Sequence, residues 1–424
     1  LRPIGFLERC RREVGSSFSV MFLGFETPMV MISDPAAIKA LYQQRSHALP
    51  PGRNIILEPI LGSGSLLLQE GAEHISRRRL MLPAFHGERM RSYEATMTEV
   101  VEREIDSWPL AQEFPIHPRM QAVTLEVVLR AVFGVSEGPR LERLRGILAT
   151  VLQETAKPTT QLIGLATRRF GSRGPWARFE GQLRAADELL YAEIAEHRRR
   201  PDLAEREDIL SMLMRAEFED GGRMDDAELR DQLMTLLLAG HETTATALAW
   251  TFDLVLRHPA VLERLREELA GGEEEYLRAT ISESLRLRPV VPLAGRRLTS
   301  ELVADGLELP AGTDVTPAIW LTHTRADVYP DPFAFRPERF LSVPPETYAW
   351  IPFGGGVRRC IGAAFAEFEM RVVLREVLTR CELRKASPRP ETTARRNITL
   401  SPKDGTPVVV TARRPARERE PVAV

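Results

Sequence analysis

Phe353-Gly354-Gly355-Gly356-Val357-Arg358-Arg359-Cys360-Ile361-Gly362 is the stretch on which the reading of this chain turns. It sets one cysteine between a glycine-rich turn and a segment, Ile361-Gly362-Ala363-Ala364, that opens a helix. Two arginines precede the sulfur directly. A cysteine so placed lies near the positive end of a helix dipole, among cations and backbone N–H donors. Each of these favours thiolate over thiol. The glycines let the backbone approach a flat cofactor where side chains would collide. The alternative is a small buried cysteine behind a helix cap, the usual fate of cysteine inside a protein. A thiolate on such a loop, with the aromatic Phe353 seven positions upstream, suits the axial position of a haem iron.

Working outward, the 424 residues are 43% hydrophobic, enough for a sizeable core and far from the disordered class. A net charge of −2 gives no reason to expect nucleic acid as a partner. Arginine supplies 53 of the 57 basic residues, the bias of a high-GC bacterial genome. Cys10, Cys360 and Cys381 lack metal-site spacing and are odd in number, which argues for a reducing cytosol rather than a disulfide framework. No apolar run approaches the roughly 20 residues of a membrane span. The start, Leu1-Arg2-Pro3-Ile4-Gly5-Phe6, carries no remnant of an anchor. A cytoplasmic protein without a membrane anchor is the expectation.

Along the chain, about 1–70 reads as a small sheet (Phe18 to Phe25, Met29 to Ile32) with one helix opened by Ser33-Asp34-Pro35. From 72 to about 290 the pattern is helical, broken at Lys157-Pro158 and across Arg168 to Trp176. Its longest element, Arg223 to Leu256, is capped by Asp225-Asp226 and stopped by His258-Pro259. Helices over Pro259 to Ala270 and Glu273 to Leu287 follow. Prolines and short strands dominate 290–362. Within 363–413 the pattern gives a helix to Thr379, then a hairpin pairing Ile398-Thr399-Leu400 with Val408-Val409-Val410 around Lys403-Asp404-Gly405. The tail 414–424 reads as frayed. The whole is one mainly α domain, 1–424, with small β-sheets.

Four more motifs accompany the cysteine loop. The long helix contains Ala239-Gly240-His241-Glu242-Thr243-Thr244. A mid-helix glycine costs about 1 kcal/mol relative to alanine, and a threonine hydroxyl can bond back to the carbonyl four residues earlier. Together they predict a local widening that opens a polar notch. The string alone fits equally a helix that tolerates glycine for close packing, with Glu242 solvated. Glu283-Ser284-Leu285-Arg286 puts an acid and a base on one helix face, which by itself reads as a surface ion pair. Pro337-Glu338-Arg339-Phe340 lies just before the cysteine loop. His74 and Arg78 sit one turn apart, and Arg296 follows Leu293-Ala294-Gly295.

The pattern F-x-x-G-x-x-x-C-x-G closely resembles the haem-binding motif of the cytochrome P-450 monooxygenases. The other motifs stand in that family's order, so the resemblance runs from about Asp34 to Val410. It implies a single-domain P-450 fold with haem b held between the long helix and the Cys-loop helix, and Cys360 as the axial iron ligand. Phe353, Gly356 and Gly362 shape the loop, and Ala239 and Gly240 face the cofactor. His74, Arg78, Arg296 and Arg358 match the positions that bind the propionates, although Arg77, Arg79, Arg297 and Arg359 are adjacent rivals. Thr243 takes the role of hydrogen-bond donor to iron-bound dioxygen and Glu242 that of proton path, while His241 falls at a variable position. Glu283, Arg286 and Arg339 brace the cysteine loop.

The resemblance further implies insertion of one atom of dioxygen into a hydrophobic substrate, by hydroxylation or epoxidation, in a monomer. No reductase domain is visible in the sequence, so a separate ferredoxin-type or flavodoxin-type donor is expected, docking on a basic patch that includes Arg79 and Arg359. Segments resembling the family's substrate contacts are apolar: Ile55 to Leu68, Leu162 to Phe170, Leu236 to Ala239, Val290 to Leu293 and Ile398 to Leu400. Leu236, Ala239, Val291, Leu293, Ile398 and Thr399 are the candidate pocket residues. Relatives that act as peroxygenases or isomerases typically lack the acid–threonine pair. A haem-binding sensor without turnover has no use for it.

Overall fold

The structure, a computed structural model, describes residues 3–21, 27–44, 47–48, 53–85, 87, 89–134, 138–155, 175–304, 306–341, 346–396 and 398–415. The chain opens with helix α1 (Pro3–Val14), strands β1 (Ser17–Val20) and β2 (Met29–Ile32), α2 (Pro35–Gln43), β3 (His47–Ala48) and α3 (Arg53–Leu61). The helical body follows: α4 (Gly71–Met81), α5 (Arg89–Asp106), the short β4 (Glu113–Pro115), α6 (Ile116–Phe133), α7 (Pro139–Thr155), α8 (Pro175–Arg198) and α9 (Ile209–Arg215). Then come α10 (Asp226–Leu256), α11 (Pro259–Ala270) and α12 (Glu275–Leu287). Strands β5 (Arg296–Leu298), β6 (Leu302–Ala304), β7 (Leu307–Leu309) and β8 (Asp314–Pro317) lead to α13 (Ile319–His323), and a 3₁₀ turn spans Pro337–Phe340. The cysteine loop precedes α14 (Ala363–Arg380), β9 (Cys381–Lys385), β10 (Thr393–Arg396), β11 (Thr399–Pro402) and β12 (Pro407–Arg413).

Local chemistry accounts for the principal helices. Asp34 caps α2 by accepting from the Ala36 N–H at 2.8 Å, with Pro35 at the first helical position. Asp225 caps α10: its carboxylate accepts from the Glu228 N–H at 2.8 Å, and Glu228 reaches back to the Asp225 N–H at 3.3 Å. The antiparallel neighbour of α10 in the core is α6, whose inward face carries Met120, Val123, Val127 and Phe133. Each fully buried Leu, Val or Phe along that contact contributes about 1.5–3 kcal/mol. A mixed five-stranded sheet, ordered β1-β2-β8-β5-β3, covers a second cluster that includes Ile38, Leu41, Tyr42 and Ile351.

The structure corrects several expectations. α1 was not foreseen, because only Ile4, Leu7 and Cys10 give it an inward stripe among charged neighbours. The expected C-terminal hairpin does not form. β11 pairs with β10, Arg396 opposite Thr399, while β12 joins β4 and β9 in a separate sheet. The turn at 403–406 carries a positive φ at Thr406 and redirects the chain between sheets instead of folding it back. α10 remains an α-helix throughout, so the predicted widening at Gly240 is absent. The breaks at Lys157-Pro158 and within Arg168 to Trp176, the apolar segment Leu162 to Phe170 and the tail 416–424 lie wholly or largely outside the described residues. Among those described, no helix is long and apolar enough to cross a membrane.

Candidate active site

The cysteine loop is built from glycines, though for a different neighbour than expected. Gly354 and Gly356 adopt φ of +67° and +64°, which L side chains rarely reach. A Cβ on Gly355 would lie 2.3 Å from the Tyr42 ring, and one on Gly356 would lie 2.6 Å from the Tyr42 carbonyl oxygen. These two glycines therefore admit α2 from one side. Gly362 differs, because a Cβ there would meet no atom within 4 Å. The loop is closed by the Cys360 N–H donating to the Phe353 carbonyl at 2.9 Å, and the helix proper begins at Ala363. Phe353 packs edge-on to Trp350, which in turn meets Phe340 of the 3₁₀ turn, with centroids 6.3 and 6.0 Å apart.

Cys360 is exposed by area, yet enough protein surrounds the sulfur for burial to push its pKa up. The Gly362 N–H, Arg78 and Arg359 pull the other way without prevailing. Burial thus works against the cations and N–H donor that the sequence showed beside the sulfur. Desolvation opposes charge more strongly than two cations and one N–H favour it. A metal cation bound at the sulfur would reverse the balance by displacing the proton.

Three arginines and a histidine converge beside this loop. His74 is buried, and its pKa is lowered to about 4 by burial first, then by Arg358, Arg78 and Arg296. Arg296 is also buried, and among the described residues its Nε and the Tyr42 hydroxyl beside it have no hydrogen-bond partner. Arg358 donates to the Gln69 carbonyl. Among the described residues, neither Arg78 nor Arg296 has a carboxylate partner. The adjacent arginines do: Arg77 pairs with Glu228, Arg79 with Glu219, and Arg297 with Asp314 at 2.8 and 2.9 Å. Arg79, expected as part of a basic docking patch, is therefore partly neutralised, whereas Arg359 is exposed. Buried cations with orphaned donors are a costly arrangement. Two added carboxylates, such as haem propionates, fit it.

Behind the loop, Glu283 and Arg286 of α12 are fully buried and bonded through both carboxylate oxygens, at 2.6 and 2.7 Å. The remaining Arg286 donors reach the carbonyls of His323 and Pro332 at 2.7 Å and of Ala334 at 3.2 Å. Arg339 lies 3.5 Å from the Glu283 carboxylate, in ion-pair range but misaligned for a hydrogen bond, and donates instead to the Asp331 carbonyl at 2.8 Å. No sequence motif pointed to His323. Its Nδ1 lies 3.1 Å from the Arg286 carbonyl, and its Nε2 accepts the Ile351 N–H at 2.9 Å. It ties the ion pair to the start of the cysteine loop and must be neutral to do so.

Burial and Arg286 lower the His323 pKa to about 3. A base depressed in the fold stabilises the protein above its unfolded pKa of about 6.5, and that stability is lost as pH falls towards the folded value. His323→Gln should therefore destabilise the holoprotein at pH 7. The gap should narrow by up to about 1.4 kcal/mol per pH unit on acidification. Urea midpoints for both proteins between pH 7 and 5 test this, and a gap that widens in acid would contradict it.

Leu236, Ala239 and Thr243 recur along one face of α10, with Ala239 exposed and Thr243 half-buried. The Thr243 hydroxyl donates to the Ala239 carbonyl at 2.6 Å. A Cβ on Gly240 would only touch Val128 at 3.5 Å, so packing does not demand glycine there. Glu242 is not solvated: Gln121 donates to it at 2.5 Å, and burial raises its pKa against the pull of Gln121, Arg396 and Thr246. Of the other apolar candidates, Val291 is half-buried and Ile398 exposed, while Leu293 packs towards the cluster of Met31 and Trp320. Thr399 is buried and bonded to the Arg396 carbonyl, so its hydroxyl is turned onto the end of β10.

Comparison with known proteins agrees with this geometry. A sequence model described as Cytochrome P450 matches residues 3–408. The chain is 42% identical over 416 residues to "Putative cytochrome P450 135B1" of Mycobacterium tuberculosis, covering 96% of this chain and 87% of that protein. It is 38% identical to "Putative cytochrome P450 137" of the same organism, covering 92% and 81%. Among solved structures, retinoic acid-bound cyanobacterial CYP120A1 superposes with a TM-score of 0.80 at 27% identity, over 96% of this chain and 94% of that one. The haem domain of cytochrome P450DA, at 23% identity, shares the fold with a TM-score of 0.81 over 97% and 93%.

Proposed function

The chain belongs to the cytochrome P450 family, and from that premise we propose that it is a haem-thiolate monooxygenase acting on a hydrophobic organic substrate by hydroxylation or epoxidation. The observation that carries the reading is the clustering of His74 with Arg78, Arg296 and Arg358, and of Arg78 with Cys360. The cofactor is haem b. When bound, it supplies the electron transfer and dioxygen activation that no side chain provides.

This chain's residues would divide the remaining work. Cys360 would supply a sulfur ligand to the haem iron from a loop that Glu283, Arg286, Arg339 and His323 hold in place. Arg78, Arg296 and Arg358 would neutralise the propionates, with neutral His74 and the Tyr42 hydroxyl as further hydrogen-bond donors. Ala239 and Gly240 present a low wall to the cofactor. Thr243 holds a hydroxyl at that wall, and burial raises the Glu242 pKa, which favours the proton-carrying form of its carboxyl. Leu236 and Val291 would line the substrate side, with Ile398 at its edge. The retinoic acid of the cyanobacterial structure is a ligand of that hydrophobic class. An acidic ferredoxin-type or flavodoxin-type donor would approach the Cys360 side near Arg359.

The test is coupling. Thr243→Ala should keep consuming NADPH with surrogate redox partners while releasing hydrogen peroxide, and product per NADPH should fall roughly 10-fold. Thr244→Ala is the matched control, since its side chain is buried on the other face. An unchanged ratio in Thr243→Ala removes the role. A screen for apolar ligands that shift the haem spectrum would identify the substrate class.

A further inference from the structure

The contact between α6 and α10 is apolar except along one line. From α6 come His117, Gln121 and Thr124, and from α10 come His241, Glu242 and Thr246. His117, Thr124, His241 and Thr246 are each at most 4% exposed. Apolar side chains there would carry no polar desolvation cost, so the line calls for a reason. It divides into two parts. Thr124 Oγ1 bonds both the His241 Nδ1 and the His241 carbonyl at 3.0 Å, a closed pair that does not reach Glu242.

The second part is organised on Glu242. Gln121 donates its amide to Oε2 at 2.5 Å. Oε1 instead faces the Thr246 hydroxyl at 3.5 Å and the His117 Nε2 at 3.8 Å, and these two lie 3.2 Å apart. An amide nitrogen can only donate, so Gln121 fixes Oε2 as an acceptor and leaves the exchangeable proton to Oε1. There both neighbours can give and accept a proton. The half-buried Arg396 lies close enough to bias both Glu242 and His117 electrostatically.

Resting on the reading of Glu242 as a proton carrier, we propose that Thr246 and His117 form the inlet that resupplies it, and that Gln121 is the positioning residue that keeps Oε1 turned to them. Each proton leaving Glu242 Oε1 for the cleft is replaced from the Thr246 hydroxyl. The proton of that hydroxyl is replaced from His117 Nε2, and the imidazole, whose chain neighbour Pro118 is exposed, regains one at Nδ1 and returns by tautomer exchange. Only O–H and N–H bonds break and form. Burial lowers the His117 pKa to about 3, so the ring is neutral, as such a relay needs.

The experiment compares holoenzyme variants Glu242→Gln, Thr246→Val, His117→Phe, His117→Gln and Thr124→Val with surrogate redox partners, in water and in deuterium oxide. Glu242→Gln should lower product per NADPH roughly 10-fold, and Thr246→Val and His117→Phe at least about 3-fold. Both inlet variants should show a larger solvent isotope effect than wild type. His117→Gln, whose amide can donate to Thr246 but cannot pass a proton on, should not recover the loss, and Thr124→Val should match wild type. A second readout is independent of turnover: Glu242→Gln should move the imidazole nitrogen resonances of His117 and leave those of His241 in place. It also serves if His117→Phe does not fold. If Glu242→Gln uncouples while Thr246→Val and His117→Gln stay at wild-type coupling and isotope effect, the inlet is overturned and the role of Glu242 stands. If Glu242→Gln itself stays coupled, the reading beneath the inlet fails, and the inlet fails with it.

Discussion

Cys360→Ser is expected to lose the strongly red-shifted Soret band of the reduced carbon monoxide complex, together with all monooxygenase turnover. A serine hydroxyl keeps the size of the side chain but does not supply the electron-rich sulfur on which the chemistry depends. The loop around it should survive, since the Cys360 N–H bond to Phe353 and the Tyr42 contacts of Gly355 and Gly356 are all backbone features. Far-ultraviolet circular dichroism should therefore be unchanged. Cys10→Ser and Cys381→Ser are the controls, because Cys381 is buried at the head of β9 and Cys10 packs within α1. If either control removes the band, or Cys360→Ser keeps it, the assignment is wrong.

The second large effect is on stability. Arg286→Leu would strand the Glu283 carboxylate at zero exposure and remove the donors to the carbonyls of His323, Pro332 and Ala334. Breaking one partner of a buried pair costs about 3–5 kcal/mol, because the surviving charge has no water to return to. Since His323 links this pair to Ile351, the loss should reach the cysteine loop. Haem retention and the thiolate-type carbon monoxide band should drop along with the urea midpoint. The double variant Glu283→Leu with Arg286→Leu should recover part of the stability but not the loop geometry. Arg339→Leu should cost much less, since its Nε stands 3.5 Å from Glu283 without a hydrogen bond. Equal effects for Arg286→Leu and Arg339→Leu would contradict this ranking.

The fold class and the order of the principal helices were legible because their signals are local. Asp34 before Pro35, Asp225 with Glu228, and His258-Pro259 each act within one turn of chain. The motifs around Cys360, Glu283 and Ala239 were legible because their chemistry constrains residue type at fixed spacing. Register among neighbouring arginines was not, since Arg77, Arg78 and Arg79 are identical in composition. Only their facing partners, Glu228 and Glu219 for the outer two, leave the middle one uncommitted. The turn at 403–406 hid its outcome for the same reason: whether a strand folds back on its neighbour or crosses to another sheet depends on which edge is open to it.

Some of the site was decided by tertiary structure alone. That the loop glycines make room for Tyr42, that His323 bridges Arg286 to Ile351, and that Gln121 and His117 face Glu242 are contacts between segments far apart in the chain. The charge on Cys360 belongs to the same class. The sequence showed the cations and helix that favour thiolate. Desolvation, which here outweighs them, is a property of everything packed around the sulfur and has no address in the sequence.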